Sequence, residues 1–136
     1  MSGDGYFDPA TNPVFANDLF AHHLGIELME VGEGTAQARM VIAEHHHNAV
    51  GMVHGGAIFG LADLVFAVAC NSRGTLAVAL NVDISFVKAV RGGVLSAAAV
   101  ETTCGPRIAT YDITVTDGAG DVVALFHGMA YRKRAR

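Results

Sequence analysis

The sequence predicts an α+β fold, a curved antiparallel sheet wrapped around one long central helix. Three observations predict it. One apolar run, Gly55 to about Ser72, is too long for a strand and rich in Ala and Leu, which reads as a buried helix. Four alternating segments follow it, separated by short turn signals, and consecutive strands with tight turns favour antiparallel pairing. A hairpin-like pair precedes it, so the apolar helix must pack on the resulting sheet.

The elements follow in order. Residues 1–16 form a polar, Gly/Pro-containing N-terminal segment, and residues 17–136 a single domain. Asn17 to Gly25 reads as a short amphipathic helix, with Asn17 or Asn12 as its cap and Gly25 as its end. Ile26–Val31 and Thr35–Ile42 are strands around Gly32-Glu33-Gly34, a hairpin signal. A polar loop runs from Ala43 to Val53, then the long helix, ended by Gly74. Thr75 to Val90 alternates, placing Leu76, Val78, Leu80, Val82, Ile84 and Phe86 on one face and Asn81, Asp83 and Ser85 on the other. Val94–Cys104, Arg107–Thr116 and Val122–Tyr131 complete the set, the last two joined by the turn Asp117–Asp121.

Composition narrows the function classes. The chain has 136 residues, 51% hydrophobic and 16% charged, which is globular rather than disordered. A formal net charge of −4 argues against a nucleic-acid partner. The one basic cluster, Arg132 to Arg136, reads as a solvated tail. The N-terminus lacks a basic stretch followed by an apolar core, so no signal peptide is read. The apolar run is shorter than a membrane span and carries a charge, so no membrane partner is expected. Cys70 and Cys104 read as two reduced thiols, and the expected location is cytoplasmic.

Asp63 is the residue that needs explaining. From Gly55 to Cys70 it is the sole ionisable group besides the thiol, and an isolated buried carboxylate costs several kcal/mol or shifts its pKa. Gly56, Gly60, Asp63, Ala67 and Cys70 fall on one helix face, all small except Asp63. Ile58, Leu61, Val65 and Val68 face the sheet. Gly60 in mid-helix costs about 1 kcal/mol relative to Ala, so another helix or a ligand is expected close against that face. At the helix start, His54-Gly55-Gly56 leaves backbone N–H groups without intrahelical partners at the positive end of the macrodipole. Such a terminus can stabilise an oxyanion.

Gly55 and Asp63 are eight residues apart, roughly 12 Å along the axis at about 1.5 Å per residue. One helix cannot easily bring both to one carbonyl, whereas two antiparallel copies can, each placing its Asp63 beside the other's Gly55. The residues alone leave two readings of Asp63: a satisfied buried polar group, or chemistry. Asn48, His54, Gly55-Gly56 and Asp63 together, in that order, favour chemistry.

Those residues carry a resemblance. "NAVGMVHGGAIFGLADLVFAVACNS", with "HLGIELMEV" before it and "TYDITVTDGAGDVVALFHGMAYR" after it, resembles the hotdog-fold acyl-CoA thioesterases, in particular the phenylacetate-degradation (PaaI-like) subgroup, from about Asn17 to Arg132. The resemblance implies a site between two protomers that takes coenzyme A thioesters, and a homodimer that pairs again into a tetramer. It implies Asp63 as general base or nucleophile, Gly55 as the N–H donor to the thioester carbonyl, Asn48 positioning water or carboxylate, and His54 supporting the loop and carbonyl. Gly56, Asn81, Lys88, Arg91 and Arg107 are the substrate and coenzyme A candidates. No cofactor is implied beyond coenzyme A as part of the substrate. Several relatives carry a hydroxyl residue after the catalytic Asp, where this chain has Leu64.

Other constellations are weaker. Glu44-His45-His46-His47 lacks a second ligand cluster, so no metal site is expected; His45 to His47 are expected at the pocket rim beside Asn48. His127 reads as a satisfied sheet residue and Cys70 as core. No G-x-S-x-G elbow occurs. The expected activity is hydrolysis of aryl- or medium-chain acyl-CoA. The alternatives are an acyl-thioester hydratase or dehydratase, which needs an acid/base pair reaching Cα and Cβ, and a non-catalytic acyl-CoA-binding module.

Overall fold

The computed structural model describes residues 8–133. The start of the polar N-terminal segment and the last three residues of the basic tail lie outside them. Short helices α1 (Pro13–Ala16) and α2 (Leu19–Leu24) precede strands β1 (Ile26–Gly32) and β2 (Thr35–Val41). Helix α3 (Gly55–Cys70) follows, then β3 (Ala77–Phe86), β4 (Val94–Cys104), β5 (Ile108–Thr116) and β6 (Val122–Arg132). All strand pairs are antiparallel in one sheet of order β1-β2-β4-β5-β6-β3. This is the hotdog arrangement, with α3 as the filling and β3 and β1 as the two edges.

The inner faces of the strands pack on α3. Ile58, Leu61, Val65 and Val68 are buried as the periodicity requires, and Ala62, Leu64, Phe66 and Ala69 join them. Fully burying such side chains stabilises by about 1.5–3 kcal/mol each. Cys70 is buried, as expected of a core residue. Asn71 ends the helix by bonding back to the Ala67 carbonyl at 2.9 Å and exchanging bonds with Ala77, which fixes the entry to β3. Among the described residues, no helix is long and apolar enough to cross a membrane.

Three local expectations differ. The segment 13–24 is two short helices rather than one: Asn12 caps α1 through Val14 and Phe15 N–H, and Asp18, not Asn17, caps α2 through Ala21 N–H at 2.9 Å. Phe15 is buried, so the core reaches ahead of residue 17. In β3 a bulge between Ala79 and Asn81 breaks the simple alternation. Val82, Ile84 and Phe86 pair with the inward Gly128, Phe126 and Ala124, but Val78 pairs with the outward Tyr131. The one-face stripe from Leu76 to Phe86 is therefore split at Leu80.

Candidate active site

His54 adopts an extended backbone conformation at the N-cap of α3, and its Nδ1 accepts the Gly56 N–H at 2.8 Å. Its own N–H donates to the His46 carbonyl at 2.7 Å, and its carbonyl takes the Ala57 and Ile58 N–H groups. Gly55 N–H is left over, with no acceptor among the described residues. It opens onto a cleft of about 450 Å³ bounded by Asn48, Met52, Ile58, Phe86 and Lys88. A Cβ on Gly55 would stand 3.2 Å from the Phe86 ring, so the glycine keeps the approach to that N–H clear. Grooves of about 520 and 500 Å³ lie over β1, β2 and β4 on the outer sheet face, but neither is lined by a residue of α3.

Asn48 sits at the mouth of the cleft. Its Oδ1 is committed to its own loop, accepting Val50 N–H at 3.0 Å and Met52 N–H at 3.1 Å, which leaves the amide NH₂ for a ligand. Asp63 lies more than two turns further along α3, half-buried. Burial first, and the Asp18 carboxylate second, push its carboxyl above the usual range. Asn48, His54, Gly55 and Gly56 are thus brought together in one chain, and Asp63 is held apart from them by the length of the helix.

The coenzyme A candidates scatter. Lys88 lines the cleft, but its ammonium is held by Asp117 at 2.6 Å and Asp121 at 2.7 Å. Arg91 lies beside the Asn48–Met52 turn, its Nη1 3.8 Å from where a Cβ on Gly51 would stand, and its carbonyl accepts His47 Nε2–H at 2.6 Å. Arg107 is at the far end of the sheet, where its carbonyl accepts Arg132 N–H. Asn81 pairs with Met129, is exposed, and does not line the cleft. Among the described residues no cluster of three His, Cys, Asp or Glu could hold a metal.

One expectation is met and one is corrected here. The helix expected against Gly60 is α2 of the same chain: a Cβ there would stand 2.6 Å from Leu24 Cδ1 and 3.3 Å from Phe20 Cε2. The small-residue face is therefore no argument for a partner helix by itself. His46 is not on the rim. It is buried, its Nδ1 accepting Ala43 N–H at 2.9 Å and its Nε2–H donating to the Leu24 carbonyl at 2.7 Å. It ties α2 to the turn that sets up Gly55. A run of three histidines gives no hint of which one turns inward, so sequence reasoning missed it.

The comparisons agree with this fold. The family model of the thioesterase superfamily matches residues 50–124. The Escherichia coli acyl-coenzyme A thioesterase PaaI is 37% identical over 88% of this chain and 86% of that protein. An Archaeoglobus fulgidus protein is 42% identical over 88% of this chain and 78% of its own length. Among solved structures, E. coli PaaI superposes with a TM-score of 0.87 over 90% of each chain at 35% identity. The TT0310 protein of Thermus thermophilus superposes at 0.82 over 86% of this chain and 99% of that one, at 36% identity.

Proposed function

This chain belongs to the thioesterase superfamily, and from that premise we propose that it hydrolyses aryl- or medium-chain acyl-CoA to the free acid and coenzyme A. The observation that carries the proposal is the unpartnered Gly55 N–H at the head of α3, opening onto the cleft. The thioester carbonyl accepts that N–H, and the positive end of the helix stabilises the charge that develops on oxygen. The partner's Asp63 takes a proton from water as the water attacks the carbonyl carbon, or its carboxylate attacks that carbon directly. The C–S bond then breaks and coenzyme A leaves as the thiolate; after direct attack the acyl group remains on Asp63 as an anhydride, which water hydrolyses to the free acid and the restored carboxylate.

The 12 Å or so along the helix axis between Gly55 and Asp63, at about 1.5 Å per residue, is why the reading needs two chains. The homodimer, and a dimer of such dimers, belong to this proposal. Asn48 NH₂ orients the water. Arg91 and Lys88 at the cleft, with Arg107 and Asn81 brought from the partner's sheet, meet the coenzyme A moiety, and Gly56 gives it room. No cofactor is needed, since coenzyme A arrives with the substrate, and the reading places the enzyme in the cytoplasm, in the pathway of phenylacetate degradation.

The test is release of free thiol from a panel of acyl-CoA thioesters by wild type and by Asp63→Asn. A loss of about 10²–10⁴-fold is expected for removal of a general base. Equal rates would overturn the assignment, and tight acyl-CoA binding without turnover would make the chain a binding module instead. Hydration of enoyl thioesters is disfavoured because the Nδ1 lone pair of His54 is spent on capping Gly56.

A further inference from the structure

His46 is a buried polar group that the hydrolysis does not use. Among the described residues it alone of the histidines, carboxylates, amides and cations is buried, at 2% exposure. A buried imidazole needs partners for both ring nitrogens, and both have them. Nδ1 accepts Ala43 N–H at 2.9 Å, which places the proton on Nε2, and Nε2–H donates to the Leu24 carbonyl at 2.7 Å. That carbonyl ends α2, where the helix supplies no partner of its own. The backbone around His46 carries the site. Residues 46–48 run antiparallel to 52–54: the His46 carbonyl accepts His54 N–H at 2.7 Å, His47 bridges to Val53, and Asn48 N–H donates to the Met52 carbonyl at 2.7 Å. Asn48 and Gly55 therefore extend from opposite sides of one small ladder, and both line the cleft. Val53 N–H on the Val90 carbonyl at 2.9 Å and His47 Nε2–H on the Arg91 carbonyl at 2.6 Å tie the ladder to the segment after β3. Among the described residues, its one hydrogen bond to α2 is that of His46.

We propose that His46 is a positioning residue: by tying the ladder to the end of α2 it fixes Gly55 N–H and the Asn48 amide for the thioester carbonyl and the water. The proposal rests on the reading of Gly55 N–H as the donor to that carbonyl. The tie closes a circuit of contacts. Helix α2 packs on Gly60 of α3 through Leu24 and Phe20, Leu24 holds His46, the His46 carbonyl holds His54, and His54 caps α3 at Gly56. The donor is thereby referred back to the body of its own helix. A displacement of about 1 Å can cost roughly 10²-fold in rate. Loss of the Leu24 bond leaves the Ala43 bond and the ladder in place, so the turn stays folded but is no longer fixed against α2.

Substitution separates the two bonds. In His46→Gln the side-chain amide reaches the place of Nε2 and gives the Leu24 carbonyl a donor, while Ala43 N–H loses its partner. In His46→Asn the side-chain oxygen takes the place of Nδ1 and keeps Ala43, while the Leu24 bond is gone. Thiol release from a cleaved acyl-CoA and the melting temperature are measured for both. Each variant loses one buried hydrogen bond, so both are expected to melt below wild type. Turnover is expected to separate them: kcat falls about 10–100-fold in His46→Asn with KM near wild type, and stays near wild type in His46→Gln. Either variant decides alone, since full kcat in His46→Asn, or a folded His46→Gln with kcat lost, would overturn the proposal. Failure of the function reading shows separately, as a wild type that cleaves no acyl-CoA or an Asp63→Asn variant with undiminished turnover. Hydrogen exchange at the His54 and Gly56 amides needs no substrate and then decides the role of His46. Protection is expected to be lost in His46→Asn and kept in His46→Gln, and equal protection in the two overturns it.

Discussion

Asp63 occupies a place where its charge works against the fold. Burial and the neighbouring Asp18 raise its carboxyl above the unfolded value. The native state therefore binds the proton more tightly than the unfolded chain does. That contribution is fully present below the unfolded value and is lost as pH rises through the raised native value, so at neutral pH the ionised group destabilises. Asp63→Asn should accordingly melt above wild type at pH 7 while losing hydrolysis, and the gap should close as pH falls below the carboxylate range. Thermal melts from pH 7 to 4 check this; a variant that melts below wild type at pH 7 contradicts it. Glu101, at the other end of α3, shows the opposite balance. Burial opposes its charge, but hydrogen bonds from Arg73 at 2.8 Å and Tyr111 at 2.7 Å outweigh that and hold it below the usual range. A partnered carboxylate is structural; among the described residues Asp63 draws no hydrogen bond of that kind, which is the pattern of a group kept for chemistry. Cys70 is pushed up to about 11, by burial first, and stays a protonated thiol. It is core, as its apolar neighbours suggested.

Two glycines decide how closely elements approach, and they differ in what they face. Gly128 of β6 lies under Phe66, and a Cβ there would stand 2.7–2.9 Å from three ring atoms. That ring is wedged between Tyr111 at 5.7 Å and Phe126 at 5.8 Å, so it has nowhere to go. Gly128→Ala should cost about 1–3 kcal/mol, the range for overpacking a core. At Gly60 the closest atom is the tip of Leu24, which can rotate, and alanine recovers about 1 kcal/mol of helix propensity. Gly60→Ala should therefore be the milder change, and a denaturant series on both variants tests the order. The places of α3 and the strands were legible from sequence because hydrophobic period reports which face meets a core, although β3 stops at Phe86 where the alternation ran on to Val90. The inward turn of Gly128 and the bulge in β3 were not, because a period-2 pattern reads alike with or without one extra residue. The site was legible in the same degree. His54, Gly55 and Asn48 meet because one turn joins them, whereas His46 reaches the Leu24 carbonyl only through tertiary packing. Leu64 could be read only as a missing hydroxyl; in the fold it is 2% exposed and packs in the core.

The two edges of the sheet are built differently. β1 carries Glu27 and Glu30 and a bulge between Leu28 and Glu30, devices that discourage pairing with another strand. β3 is ten residues long, and Val78, Leu80 and Phe86 stand 41–54% exposed along it. A long aliphatic edge pairs readily with a second strand, and a second copy of β3 is the simplest one available. Antiparallel pairing of two β3 strands about a two-fold axis runs the two α3 helices in opposite directions. In the proposed two-chain site that pairing is what carries each Asp63 toward the other chain's Gly55, a meeting the length of a single helix prevents. Lysines at Val78 and Leu80 should then reduce the assembly to monomers in light scattering while the far-UV circular dichroism is kept. Thioester hydrolysis should fall with the assembled fraction, and wild-type specific activity should drop on dilution through the same range. A folded monomer that turns over at the wild-type rate would mean that one chain brings base and donor together, and the two-chain site would have to be abandoned.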